Sequence, residues 1–274
     1  MSTLTDSLSQ KASSSLWTNS VATEDSAATL LSAPVQEIFS STQGEGIYVG
    51  KRQVFVRFAH CHLKCAYCDT PMTTASGQCQ LEASPGSGAI ELHSNPMSSE
   101  TLAILIKTLW KLARHHSVSL TGGEPLLYHR FLKEVLPLLK PDISIYLETS
   151  ATQADFFSEI APWVDIVAMD IKLPSATKEA PRYTEHAEFY QLAKQFDCFI
   201  KLVFNEQTSL EELEAVRGIV SDRKTPIILQ PETSLTDKKV YISPSKLFWI
   251  ENNLSGWFDD VRIIPQTHKM LNVL

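Results

Sequence analysis

Cys61, Cys65 and Cys68 stand in the run AHCHLKCAYCDT with the spacing C-x-x-x-C-x-x-C. Thiolates in that cadence suit one cubane iron–sulfur cluster, with the fourth iron left without a protein ligand. An open iron is a place to bind and reduce another molecule, so the motif points to chemistry and not merely to structure. Two other readings stay open at this point: a zinc site recruiting His60 or His62 as its fourth ligand, and three unrelated thiols. A closed structural zinc site usually takes two pairs of ligands, whereas Cys79 and Cys198 are single and distant.

From about residue 35 the chain alternates short apolar runs with amphipathic stretches. Candidate strands are 54–58, 117–121, 143–148, 165–171, 198–204, 226–230 and 260–265, each rich in Val, Ile, Leu or Phe. Helical patterns fall at 99–114, 130–139, 152–161, 184–196, 208–221 and 244–253. In the first of these Leu102, Leu105, Ile106, Leu109 and Ala113 share one face, with Ser98 or Ser99 as N-cap. Repeated strand–helix units imply an α/β fold with a parallel sheet, either open or rolled toward a barrel. Residues 72–97 break the rhythm with Gly, Pro and Ser, and read as a loop or short hairpin near the cysteines. Cys79 within it reads as an ordinary loop cysteine.

Binding residues in such architectures collect at the carboxyl ends of the strands. There the sequence places Thr121-Gly122-Gly123-Glu124-Pro125, whose glycines admit close backbone approach and whose carboxylate can accept from an ammonium group. Arg57 interrupts the otherwise apolar VFVRF, with an internal ion pair as its plain alternative.

Composition sets the frame. The 274 residues suffice for one domain with a full core, and 43% hydrophobic with 20% charged residues is ordinary for a soluble enzyme. A net charge of −7 without a Lys/Arg run gives nucleic acid no footing, and no apolar stretch reaches the roughly 20 residues of a membrane span. Five cysteines, three of them clustered, speak for a reducing cytoplasm over a disulfide framework. Residues 1–34 are rich in Ser, Thr and Ala and read as a disordered or weakly docked extension before a catalytic domain at 35–274. They lack the apolar core of a secretory signal and the arginines of a transit peptide.

The cysteine motif and the TGGEP segment together resemble the radical S-adenosylmethionine (SAM) superfamily. That resemblance implies a partial (β/α) TIM-like barrel, a [4Fe–4S] cluster on Cys61, Cys65 and Cys68, and SAM bound through its amino and carboxylate groups to the open iron. A narrower set, EIFSSTQGEGIYVGKRQVFVRF (37–58), CDT (68–70), ETSAT (148–152), LQP (229–231) and QTHK (266–269), is similar to the 7-carboxy-7-deazaguanine synthase family. It covers nearly everything beyond the extension. The family implies a ring contraction of 6-carboxy-5,6,7,8-tetrahydropterin with loss of ammonia, in queuosine-type 7-deazapurine biosynthesis. SAM would be regenerated each cycle and act as a true cofactor.

Carried over position by position, the resemblance assigns SAM contacts to Tyr67, Cys68, Asp69, Gly123, Glu124, Ser150, Asp170, Ile171, Lys172, Gln230, Pro231 and Glu232. Asp170-Ile171-Lys172 departs from the Ser-Pro-Lys found in some relatives. Substrate contacts fall to Thr42, Gln43, Gly44, Glu45, Arg57, Thr121, His268 and the carboxylate of Leu274, while Glu148 faces either ligand. Thr70 is assigned Mg2+, with substrate oxygens and water completing the octahedron. The implied partners are the pterin, a one-electron donor such as flavodoxin or ferredoxin, and a second copy in a homodimer. A glycyl-radical activase would leave QGEG and QTHK unexplained, and a non-catalytic metal-binding protein would not bind SAM.

Overall fold

The computed structural model describes residues 31–70, 77–271 and 273. Short apolar runs become strands whose two faces are both covered. The strands are β1 (Ser32–Ala33), β2 (Val35–Thr42), β3 (Arg52–Phe58), β4 (Gln78–Glu82), β5 (Ile90–Ser94), β6 (Met97–Ser98), β7 (Ser117–Gly122), β8 (Ile145–Thr149), β9 (Ile166–Ile171), β10 (Asp197–Phe204), β11 (Ile227–Pro231) and β12 (Val261–Ile263). The helices are α1 (Ser99–Leu112), α2 (His129–Leu139), α3 (Ala154–Ile160), α4 (Pro174–Thr177), α5 (Tyr183–Ala193), α6 (Leu210–Ile219), α7 (Pro244–Ser255) and α8 (Thr267–Leu271). Helix α1 starts where the Ser98 hydroxyl accepts from the Thr101 amide, and α6 starts in a capping box of Ser209 and Glu212.

Ten strands form one sheet in the order β12-β11-β10-β9-β8-β7-β3-β2-β4-β5, parallel from β12 to β3 and open at both edges. The sheet curls. Arg57 on β3 and Gln230 on β11 line one cavity although four strands separate theirs, a distance a flat sheet would not close at about 4.8 Å per strand. Its outer face packs on the helices through residues such as Val56, Leu120, Leu147, Met169 and Leu202. Its concave face carries a second, smaller cluster of Tyr146, Ile166, Ala168, Phe199 and Ile228, against which Ile47 and Tyr48 pack. This is an incomplete (β/α) barrel, filled at the bottom and hollow above.

Strand β2 lies ahead of 54–58, the first candidate strand in the sequence pattern. It pairs antiparallel with β3, Glu37 opposite Arg57 and Phe39 opposite Phe55. The run VQEIFSST lacks continuous apolar character because one face of it looks into a polar cavity, so periodicity passed over it. QGEG therefore follows a strand and turns between two. Residues 78–94 form the β4–β5 hairpin that extends the sheet beyond β2, within the stretch read as a loop or hairpin. Of the expected extension, residues 1–30 lie outside the described residues; Ser32–Ala33 pairs with Met97–Ser98, and Ala33 is fully buried. Among the described residues no helix is long and apolar enough to cross a membrane.

Candidate active site

The chain leaves β3 at Phe58 and passes over the top of the barrel, carrying the three cysteines. Buried Leu63 anchors this loop, the Cys68 amide donates to the Cys65 carbonyl at 3.0 Å, and the Ala66 amide donates to Thr177 at 2.9 Å. The turn after β7 fastens it from the other side: Gly123 donates to Phe58 and Glu124 to His60, at 2.9 and 2.7 Å. A Cβ on Gly123 would lie 1.9 Å from the His60 carbonyl oxygen, so the approach admits only glycine. Cys61, Cys65 and Cys68 are free thiols. Burial pushes the Cys65 thiol up to about 11, Lys172 opposing and Asp170 and the other two cysteines adding, so a bound cationic centre must hold it as thiolate. Among the described residues no three His, Cys, Asp or Glu gather as the ligands of a single ion would. A cubane binds its three thiolates on separate irons, and these three border one cavity.

Two adjoining cavities, of about 180 and 240 Å³, open above the filled floor of the barrel. The first reaches the cysteines and is lined by Tyr67, Gly123, Ser150, Asp170, Lys172, Lys201 and Gln230 among others. The second holds Glu37, Phe39, Thr42, Gln43, Gly44, Phe55 and His268. Glu45, Arg57, Asp69, Thr70, Thr121, Glu148 and Gln266 border both.

Their walls are a continuous polar network. Gln43 Nε2 donates to Gln53 at 3.0 Å and to Glu148 at 2.8 Å, and the other Glu148 oxygen accepts from the Thr121 hydroxyl at 2.6 Å. Glu45 meets Lys201 at 2.6 Å and accepts from Gln266 at 2.7 Å. Burial alone would raise the Glu45 pKa, but Lys201, Gln266 and His268 outweigh it and bring it down to about 2. Arg57 donates through Nε to Glu37 and lies 5.6 Å from the Phe39 ring centroid. The segment after β12 closes one side: Thr267 donates to the Gly44 carbonyl at 2.9 Å, His268 packs where a Cβ on Gly44 would stand, and Lys269 pairs with Asp69 at 2.7 Å.

Of the residues assigned to SAM from sequence, Tyr67, Cys68, Asp69, Gly123, Ser150, Asp170, Lys172 and Gln230 line the first cavity. Four do not line it. Glu124 is 1% exposed and turns inward; Ile171 packs in the core between sheet and helices; Pro231 is buried; Glu232 accepts from Asn205 at 2.6 Å. Of the substrate set, Thr42, Gln43, Gly44, Glu45, Arg57, Thr121 and His268 line the second cavity, with Thr70 at the junction, while Leu274 lies outside the described residues. Lys201, Gln266, Lys269, Glu37 and the Phe39–Phe55 pair were not singled out. Lys201 carried a usable signal, since it is the one charge inside the apolar run FIKLVF, as Arg57 is inside VFVRF.

The residues present fit a SAM-bearing cluster. Asp170 Oδ1 and Gln230 Oε1 are buried, border the cavity beside the cysteines, and have no hydrogen-bond partner among the described residues. Two idle acceptors suit a ligand that brings donors, as the hydroxyl and ammonium groups of SAM would.

Barrel, cysteine loop and glycine turn together define an enzyme of the radical SAM class, and the Radical SAM superfamily model matches residues 55–194. A 7-carboxy-7-deazaguanine synthase of Geobacter sulfurreducens is 38% identical over 247 residues, covering 88% of this chain and 98% of that protein. One from Methanocaldococcus jannaschii is 34% identical over 257 residues, covering 88% and 100%. The crystal structure of QueE from Escherichia coli matches with a TM-score of 0.57 at 25% identity, over 86% of this chain and 95% of that one. Within the radical SAM class, the chain belongs to the 7-carboxy-7-deazaguanine synthase family.

Proposed function

We propose that this enzyme contracts the ring of 6-carboxy-5,6,7,8-tetrahydropterin to 7-carboxy-7-deazaguanine with loss of ammonia. The observation that carries the substrate reading is the second cavity. It pairs an aromatic wall, Phe39 and Phe55 stacked at 5.1 Å, with the amide and carboxylates of Gln43, Glu45 and Glu148. That combination suits a flat heterocycle with a donor/acceptor edge. Arg57 sits at the junction, where its guanidinium would take the substrate carboxylate in competition with Glu37.

When bound, the cluster and SAM would supply the one-electron radical chemistry that the ring contraction requires. The protein does the rest. Cys61, Cys65 and Cys68 would hold the cluster; Ser150, Asp170, Lys172 and Gln230 would hold SAM across the first cavity; Gln43, Glu45, Thr121 and Glu148 would orient the pterin at the junction. Residues 266–269 wall the pterin side and limit water there. Mg2+ is the finer part of the proposal: Thr70 offers one hydroxyl at the junction, and substrate and water must supply the remaining oxygens. A one-electron donor protein and a homodimer complete it.

The test is anaerobic turnover of cluster-reconstituted enzyme, comparing wild type with Arg57→Gln. The variant is expected to raise KM for the pterin by roughly tenfold to a hundredfold with less change in SAM affinity. An unchanged KM would remove Arg57 from the substrate site.

A further inference from the structure

One line of alternating charge runs along the first cavity to residues that border both. Tyr67 accepts from Lys172 at 3.0 Å, and Lys172 pairs with Asp170 at 2.8 Å. Asp170 Oδ2 also meets Lys201 at 3.2 Å, and Lys201 meets Glu45 at 2.6 Å. Gln266 donates to the far oxygen of Glu45 and itself accepts from Lys269 at 2.6 Å, so the line runs on to the Lys269–Asp69 pair. The Asp170–Lys201 contact is built into the sheet, because the two residues are direct partners in the parallel register of β9 and β10. Glu45 arrives from the turn after β2, a different part of the chain.

Among the described residues, Lys201 is thus an ammonium shared by Asp170, which lines the first cavity, and Glu45, which borders both. The other neighbour of Glu45 in this line, Gln266, is neutral, and Asp170, which lines the first cavity, has its buried Oδ1 without a hydrogen-bond partner among the described residues. Whatever alters the hold of Glu45 on Lys201 changes how strongly Lys201 leans on Asp170. That in turn changes how well Asp170 can accept from a ligand. Side-chain exposures of 14% and 16% for Lys201 and Glu45 keep water from screening the exchange.

We infer that Lys201 is a positioning residue that couples the pterin side of the site to the SAM side through Glu45 and Asp170. The inference rests on the assignment of SAM to the first cavity, but not on the identity of the substrate. Glu45 borders both cavities, so what distinguishes the inference is that its charge should be felt in SAM affinity through Lys201 specifically.

The experiment is a double-mutant cycle on SAM affinity, measured by equilibrium dialysis of cluster-reconstituted protein without pterin. Glu45→Gln in the wild-type background is expected to weaken SAM roughly fivefold or more, because Lys201 then falls wholly on Asp170. In a Lys201→Met background the same Glu45→Gln change is expected to move SAM affinity by less than about twofold. In Lys201→Arg, which keeps the charge, the effect of Glu45→Gln should return. Unchanged SAM affinity in Glu45→Gln alone overturns the inference, and that arm stands even if Lys201→Met does not fold. An undiminished effect in Lys201→Met also overturns it, because the cause would then be the field of Glu45 and not the shared ammonium. Failure of the pterin reading shows separately, as absence of 7-carboxy-7-deazaguanine in turnover with the cycle intact.

Discussion

Both oxygens of Glu124 are consumed inside the protein. One accepts from the Leu126 amide and the Thr149 hydroxyl at 3.2 and 2.8 Å, the other from the amide and hydroxyl of Ser150 at 2.8 and 2.5 Å. A carboxylate so placed ties the turn after β7 to the end of β8 and presents Ser150 to the cavity. Glu124→Gln cannot accept all four bonds, and thermal unfolding of the apoprotein should show a loss of about 1–3 kcal/mol. An unchanged melting temperature would contradict this bracing role. Glu45 offers a pH test. Its pKa falls from an ordinary 4.5 to about 2 in the fold, so its stabilisation is complete above about pH 4.5 and is lost as pH drops toward 2. Glu45→Gln should flatten that acid arm of the stability profile, and an unaltered arm would contradict the Lys201 pairing. Motif reading has its limit at this scale: Lys201 belongs to no motif, and the TGGEP segment does not tell which way the Glu124 side chain turns.

Elements, more than single residues, bring the site together. Helix α5 contributes His186, whose Nδ1 bonds the Ala151 carbonyl at 3.1 Å while Nε2 accepts from the Lys172 amide at 3.1 Å. One neutral imidazole thereby links the ends of β8 and β9. Burial chiefly lowers its pKa from 6.5 to about 4. The unfolded chain binds the extra proton as pH falls from 6.5 to 4, so the fold loses stability across that window, on the order of 3 kcal/mol at its lower end. His186→Gln should remove most of that slope in pH-dependent unfolding. Gly123 tests the loop–turn junction: Gly123→Ala must displace the His60 carbonyl, so iron bound per chain after reconstitution should fall severalfold while far-ultraviolet dichroism holds. The strands β7 to β11 were legible because they are short, largely apolar and mostly buried runs, despite polar residues such as Ser119, Asp170 and Lys201. Strand β2 was not, because Gln36, Glu37, Ser40 and Ser41 interrupt its apolar pattern, and no local period reports a polar cavity formed by distant strands.

At the scale of the whole molecule, the incomplete barrel divides its interior by chemistry. Aromatic and aliphatic side chains fill the bottom, the polar network forms a middle layer, and the cysteine loop covers the top. The segment 266–271 clasps the open side through Gly44, Glu45 and Asp69. Ending the chain after Pro265 should leave the sheet folded, since none of its strands is removed, but should lower turnover at least a hundredfold by opening the pterin side, on the order of what misplaced catalytic geometry costs. Retained turnover would show that the clasp is dispensable. The division into a SAM side and a pterin side is the central claim, and one anaerobic assay tests it most directly. Cluster-reconstituted enzyme is incubated with SAM, reductant, Mg2+ and 6-carboxy-5,6,7,8-tetrahydropterin, and 7-carboxy-7-deazaguanine and SAM are both quantified by mass spectrometry. The expected result is product formed over many turnovers without matching consumption of SAM. Release of 5′-deoxyadenosine with no 7-carboxy-7-deazaguanine would contradict the pterin assignment.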